Sequence, residues 1–149
     1  MGGKGSGNGQ FNEPLGIVLD RDNYIYVADS KNNRIQKFDW YGNFVTAWGS
    51  AGFGDNKFGF PYGISVDSKG YIYVTDLINN GIQKFTSTGQ FLTAWDSAGT
   101  GNGQFNLPTG VVMDGDGYIY VADSQNFRIQ KFTIHGQFLK AWGSKGTGN

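Results

Sequence analysis

Pro14, Pro61 and Pro108 stand 47 residues apart, and so do Trp48, Trp95 and Trp142, and Asp29, Asp76 and Asp123. The 149 residues therefore divide into a leader, 1–8, and units at 9–55, 56–102 and 103–149. The first and third units share 30 of their 47 residues. A fixed period of this length means stacked or radial copies of one supersecondary unit, each burying its apolar face against its neighbours.

Each unit carries strand signals and lacks an apolar helical period. In the first unit the segments are Pro14–Asp20, Tyr24–Asp29, Arg34–Phe38 and Asn43–Trp48. They are short and rich in aromatic and β-branched residues. Turn residues separate them: Arg21-Asp22-Asn23, Ser30 to Asn33, Tyr41-Gly42, and Gly49 to Asn56. In Tyr24-Ile25-Tyr26-Val27 both faces of the strand carry apolar bulk. That is the pattern of a sheet covered on both sides, as a propeller blade is between its neighbours. Four short antiparallel strands per unit make one blade. The fold class expected is therefore all-β: a β-propeller of four-stranded antiparallel blades, three per chain.

Composition narrows the function. Lys+Arg 12 balances Asp+Glu 12, so no net field draws the chain to nucleic acid or an anionic membrane. With Cys 0 there is no disulfide, thiolate nucleophile or thiolate metal site, and the compartment stays open. No apolar run is long enough for a membrane helix. The first eight residues lack the apolar core of a signal peptide. Gly 25 without an every-third period, together with 16% aromatics, excludes a collagen-like or disordered chain.

The strings Phe11–Gly16 (Phe-Asn-x-Pro-x-Gly), Tyr24–Asp29 (Tyr-Ile-Tyr-Val-Ala-Asp), Asn32–Phe38 (Asn-x-Arg-Ile-Gln-Lys-Phe) and Gly42–Phe44 resemble the NHL-repeat family of β-propellers. The resemblance continues at Phe58–Gly63, Tyr71–Asp76 and Asn79–Phe85, and at Phe105–Gly110, Tyr118–Asp123 and Asn126–Phe132. The second unit departs from it, with Gly81 in place of Arg34 and Arg128, and Leu77-Ile78 in place of Ser30-Lys31. The resemblance implies a ring of six blades, within the four to eight such rings take. Three blades leave two apolar faces open, and apolar patches of that size mark association surfaces. A head-to-tail homodimer closing the ring about a two-fold is therefore expected. Residues 2–8 match 143–149 at five of seven positions, so the linker that enters each blade stands at both ends. Each unit is then a whole blade, and ring closure requires no exchanged strand. The even division fits a natural half-propeller and an engineered fragment alike.

The polar residues that could carry chemistry are either repeated in every unit or unique to one. Asp29, Asp76 and Asp123 read either as a carboxylate ring at the channel mouth or as loop carboxylates bonding their own backbone amides, with Arg34 and Arg128 as partners. Repetition in every blade favours the second. Asp20-Arg21-Asp22, Asp67-Ser68-Lys69 and Asp114-Gly115-Asp116 read as hairpin turns rather than calcium loops, which need more oxygen ligands and a closing Glu. His135 is the single histidine and falls in a turn, where a zinc site would want several ligands. The resemblance includes a metal-dependent lyase with a histidine cluster that this sequence lacks. No catalytic residue, metal site or cofactor is expected, and the chain reads as non-enzymatic. It also includes domains that bind single-stranded RNA on one basic face. The residues suited to that, or to a peptide or small polar ligand, are Lys31, Arg34, Phe127 and Arg128, all between second and third strands. The second unit adds no charge there, and zero net charge argues against RNA. The expected function is thus a scaffold or interaction module whose first partner is itself, with a protein or peptide as a further partner. Trp48, Trp95 and Trp142 are expected between blades, and Trp40 on the surface.

Overall fold

The computed structural model describes residues 2–146. The first blade consists of β1 (Pro14–Leu19), β2 (Ile25–Asp29), β3 (Arg34–Phe38) and β4 (Phe44–Trp48). A short β5 (Ser50–Ala51) and β6 (Lys57–Phe58) follow. The second blade holds β7 (Pro61–Val66), β8 (Ile72–Asp76), β9 (Gly81–Phe85) and β10 (Phe91–Asp96). The third holds β11 (Pro108–Met113), β12 (Ile119–Asp123), β13 (Arg128–Phe132) and β14 (Phe138–Trp142). Each blade is a four-stranded antiparallel meander with its strands in sequence order, so the all-β propeller architecture read from the sequence is present.

Local chemistry accounts for the hairpins. The Asp20 carboxylate accepts the amides of Asp22 and Tyr24, each at 2.9 Å, which folds the turn before β2. Asn23 takes φ 64° there, a conformation its short polar side chain tolerates. Within each innermost hairpin the register slips once. Pro14 faces Asp29 and Ile17 faces Val27, leaving Leu15 and Gly16 opposite Ala28. Pro61/Ile64 and Pro108/Val111 repeat this bulge, which bends the strand lining the channel.

Blades pack face to face. Tyr26, Ala28, Ile35 and Trp48 of the first meet Phe58, Ile64, Ile72, Val74 and Phe85 of the second. Tyr73, Ile82 and Trp95 of the second meet Phe105, Ile119, Val121 and Phe132 of the third. The side chains at the two junctions are equivalent under the 47-residue shift.

Two features of the connections leave no signature in the strand pattern. Short 3₁₀ turns, Ser30–Asn32 and Ser124–Asn126, join the second and third strands of the outer blades. The linkers also pair in parallel: β5 with β6, with isolated bridges at Lys4↔Phe11 and Ala98↔Phe105. The leader thus packs on the first blade just as the later linkers pack on theirs. Of its sequence twin, 143–149, residues 147–149 lie outside the described part.

Candidate functional site

At one rim of the arc, each outer blade is tied to its entry linker by a buried carboxylate. Asp29 is fully buried. Its Oδ1 accepts the Asn12 amide at 2.7 Å. Its Oδ2 accepts Asn32 Nδ2 (2.9 Å), Arg34 Nε (2.8 Å) and Gln36 Nε2 (3.0 Å). Arg34 carries the tie onward: Nη1 donates to the Ser6 carbonyl at 2.8 Å, and Nη2 to those of Gly7 (2.8 Å) and Gln10 (2.9 Å). Asp123 and Arg128 repeat the arrangement against Thr100, Gly101 and Gln104.

The second blade solves the same problem differently. Asp76 accepts the amides of Gly59 (2.8 Å) and Phe60 (2.9 Å), then those of Ile78 and Asn79 at 3.1 Å each. Gly81 replaces the arginine because β10 runs one residue further. Gly81 pairs with Asp96, and a Cβ on it would lie 2.6 Å from the Asp96 Cβ.

The four residues picked out as a ligand-binding set do not form one cluster. Lys31 and Arg34 are on the first blade, Phe127 and Arg128 on the third. The arginine side chains keep only 14% and 13% of their exposure, because their guanidinium donors are engaged within the blade. Lys31 is exposed and paired with Glu13. Phe127 is exposed, holds φ 55°, and has Lys145 Nζ 5.7 Å from its ring centroid. It occupies the position of Asn33 and Asn80, which bridge to the next blade through Gly59 O (2.7 Å) and the Leu107 amide (2.8 Å). Phe127 therefore lies beside the open end of the third blade.

At the opposite rim, Tyr26 Oη donates to Asp20 Oδ2 at 2.8 Å and Tyr73 Oη to Asp67 Oδ2 at 3.0 Å. Burial, reinforced by these carboxylates, pushes both phenols well above the ordinary tyrosine range. Lys37 Nζ stands 3.9 Å over the Tyr24 ring and donates to the Ser87 carbonyl at 3.0 Å. Burial lowers the pKa of Lys37 and Lys84. A raised phenol pKa stabilises the fold fully below the ordinary tyrosine value of about 10, and that contribution is lost as pH rises through the folded value. The lysines act in the opposite sense, because their folded pKa is depressed and deprotonation relieves them. In an alkaline titration, Tyr26 and Tyr73 should ionise only together with loss of the strand circular dichroism. Phenolate absorbance that is complete before that loss would contradict the arrangement.

The two open faces are the other unusual feature. On the third blade Tyr120, Ala122, Ile129 and Trp142 stand where Tyr26, Ala28, Ile35 and Trp48 stand on the first. Trp48 is 7% exposed inside its junction and Trp142 is 44% exposed. The first blade presents the complementary half. Phe11, Ile25, Val27, Phe38 and Gly42 border an apolar hollow, and Ile17 beside it is 68% exposed where its counterpart Ile64 is 7%. Each open face thus carries one half of a junction that the chain completes twice internally. The residues on the open faces are those of the buried junctions shifted by one 47-residue period. Trp40 is exposed, Trp95 Nε1 donates to the His135 carbonyl at 3.1 Å, and Trp48 Nε1 is buried without a partner.

Radial four-stranded meanders with these contacts define a β-propeller protein. The family model described as NHL repeat matches residues 11–38 and 105–132, the first three strands of the first and third blades. Among curated relatives, Protein lin-41 of Caenorhabditis elegans is 46% identical over 46 residues, 31% of this chain and 4% of its own length. Protein brain tumor of Drosophila melanogaster is 49% identical over 41 residues, 28% of this chain and 4% of its own. E3 ubiquitin-protein ligase TRIM71 of Xenopus tropicalis is 46% identical over 44 residues, 30% of this chain and 5% of its own. The match thus spans about one twentieth of these relatives. Among solved structures, virginiamycin B lyase from Staphylococcus aureus with quinupristin superposes at TM-score 0.73 with 18% identity, over 97% of this chain and 43% of that one. A streptogramin B lyase gives TM-score 0.71 and 22% identity, over 88% and 40%. At such identities the likeness establishes the fold.

Proposed function

We propose that this chain is a non-enzymatic propeller scaffold that acts through association, and that its first partner is a second copy of itself. Two three-bladed arcs close head to tail into a six-bladed ring. The third blade of each copy meets the first blade of the other. The observation that carries this reading is the equivalence of the open faces to the two internal junctions. Tyr120 and Trp142 have the places of Tyr26 and Trp48, and Phe11 and Phe38 those of Phe58 and Phe85. Exposed apolar surface of this extent favours association.

Binding of RNA or a small polar ligand to the loop face is the weaker reading, because Arg34 and Arg128 are engaged in the blades. A non-enzymatic role is supported by the same economy: Asp29 is engaged by Asn32, Arg34, Gln36 and a backbone amide, the phenols of Tyr26 and Tyr73 by Asp20 and Asp67, and His135 is an exposed turn residue.

Substitution of the two equivalent tryptophans tests the proposal. Trp48→Ala should cost about 3–5 kcal/mol of chain stability, the usual loss for a buried large aromatic. Trp142→Ala should leave the stability of the isolated chain nearly unchanged and abolish self-association by sedimentation. Unaltered association of Trp142→Ala would refute closure through this face.

A further inference from the structure

We infer that the slot over the first blade now filled by residues 3–8 is a binding site for a glycine-rich strand. Its occupant in the assembled ring is the segment beginning at Gly143 of the second copy. The inference rests on the ring reading above and adds a second point of contact to it. In the second and third blades this slot is filled from the preceding blade. After Trp48 the chain pairs Ser50 and Ala51 with Lys57 and Phe58, and the Gly52 carbonyl accepts Asn79 Nδ2 at 2.8 Å. After Trp95 the chain pairs Ala98 with Phe105, and the Gly99 carbonyl accepts Asn126 Nδ2 at 2.8 Å. Arg128 then holds the Thr100 and Gly101 carbonyls at 2.9 and 2.6 Å.

On the first blade the leader makes the same contacts without a preceding blade. Lys4 pairs with Phe11, the Gly5 carbonyl accepts Asn32 Nδ2 at 2.8 Å, and Arg34 holds the Ser6 and Gly7 carbonyls at 2.8 Å each. The slot reads backbone carbonyls, and the one taken by the asparagine belongs to a glycine in all three linkers, Gly5, Gly52 and Gly99. A Cβ on Gly5 would fall 2.2 Å from Gln10 Oε1, the atom that accepts the Gly7 amide. Residues 143–149 have glycine at 143, 146 and 148, as 2–8 have at 2, 5 and 7.

Docking a second copy on the first blade in the way the first blade docks on the second brings its Trp142 to the mouth of this slot. Trp48 and Trp95 already stand at the mouths of the other two. One set of donors then faces two candidate strands. The leader satisfies Asn32 and Arg34 in the unpartnered chain, and the second copy's tail replaces it in the ring. Either strand suffices, so the two are redundant.

A deletion cycle tests this. Chains lacking 2–8, lacking 143–149, and lacking both are compared with the intact chain by sedimentation equilibrium. Removing 2–8 should tighten the dimer dissociation constant by at least about tenfold, because the slot is then filled only in the dimer, whereas removing 143–149 should change it by less than about threefold. The double deletion should return it to within about threefold of the intact chain, so that the effect of removing 2–8 depends on the presence of 143–149, the sign of coupling through one site. Independent effects of the two deletions would overturn the inference. A second measurement covers a double deletion that does not fold. A synthetic peptide of residues 143–149 should raise the thermal midpoint of the chain lacking 2–8 and leave the intact chain unmoved; no shift in the former overturns the inference. An intact chain that stays monomeric would end the ring reading, and the peptide measurement would still decide the slot.

Discussion

Gly63→Ala should destabilise the chain by about 3 kcal/mol, the upper end of ordinary overpacking, whereas Gly110→Ala should change its stability by less than about 0.5 kcal/mol and block its self-association. The two glycines hold equivalent places in the channel-lining strands. At Gly63 a Cβ would lie 2.3 Å from the Thr109 carbonyl and 2.8 Å from Thr75 Oγ1. The carbonyl belongs to the backbone of the next blade, so relief requires the blades to part. Thr75 Oγ1 also accepts the Gly63 amide at 2.8 Å, so its displacement loosens a buried bond. Gly16 is in the same position, 2.4 Å from the Tyr62 carbonyl. At Gly110 the nearest atom to such a Cβ is that of Ala122, at 3.9 Å, an ordinary contact. Within one chain nothing requires glycine there. In the proposed ring the Leu15 carbonyl of the second copy would take the place that the Thr109 carbonyl has beside Gly63. Denaturant titration at low protein concentration reads the first effect, and sedimentation reads the second. A Gly110→Ala chain that associates like the parent would remove the close approach on which closure depends.

Asp123→Ala is the second large effect, expected at about 3–5 kcal/mol, the cost of stripping a buried charge of its partner. The carboxylate is fully buried and takes the Asn106 amide at 2.7 Å, Asn126 Nδ2 at 2.9 Å, Arg128 Nε at 2.7 Å and Gln130 Nε2 at 3.0 Å. Alanine leaves a largely buried guanidinium and three neutral donors without that acceptor. The linker is affected as well, because Arg128 positioned by Asp123 holds Thr100 and Gly101. Asp76→Ala should cost less, about 1–3 kcal/mol, since Asp76 serves four neutral backbone amides and no guanidinium. The denaturation midpoints of the two variants give the comparison, with the slope showing whether two-state unfolding persists. Equal losses would mean that the arginine adds nothing to the tie.

These two predictions mark where the sequence was legible and where it was not. The period placed every blade strand to within a residue or so, because aromatic and β-branched runs between turn residues have few other solutions. The pairing of Asp29 with Arg34 was visible as one of two readings. What the repeat could not show was the third partner, the carbonyls of residues 6, 7 and 10, since backbone acceptors leave no trace in side-chain chemistry. The leader for that reason looked like a separate segment and is packed as part of the first blade. Glycine roles were hidden in the same way. Gly63 is needed for the approach of two backbones, whereas Gly89 and Gly136 combine positive φ with a tryptophan of the preceding blade lying against the turn. The exchange of Arg34 for Gly81 was visible in the sequence, but not its link to Asp96, which stands where the first unit has Gly49. It becomes intelligible once β10 is seen to run through Asp96.

The central claim is that this chain is half of a ring and that a second copy supplies the other half. Sedimentation equilibrium of the intact chain tests it most directly. The expected result is a species of twice the chain mass that dissociates on dilution and is lost in Trp142→Ala. A single species of the chain's own mass at every concentration would contradict it.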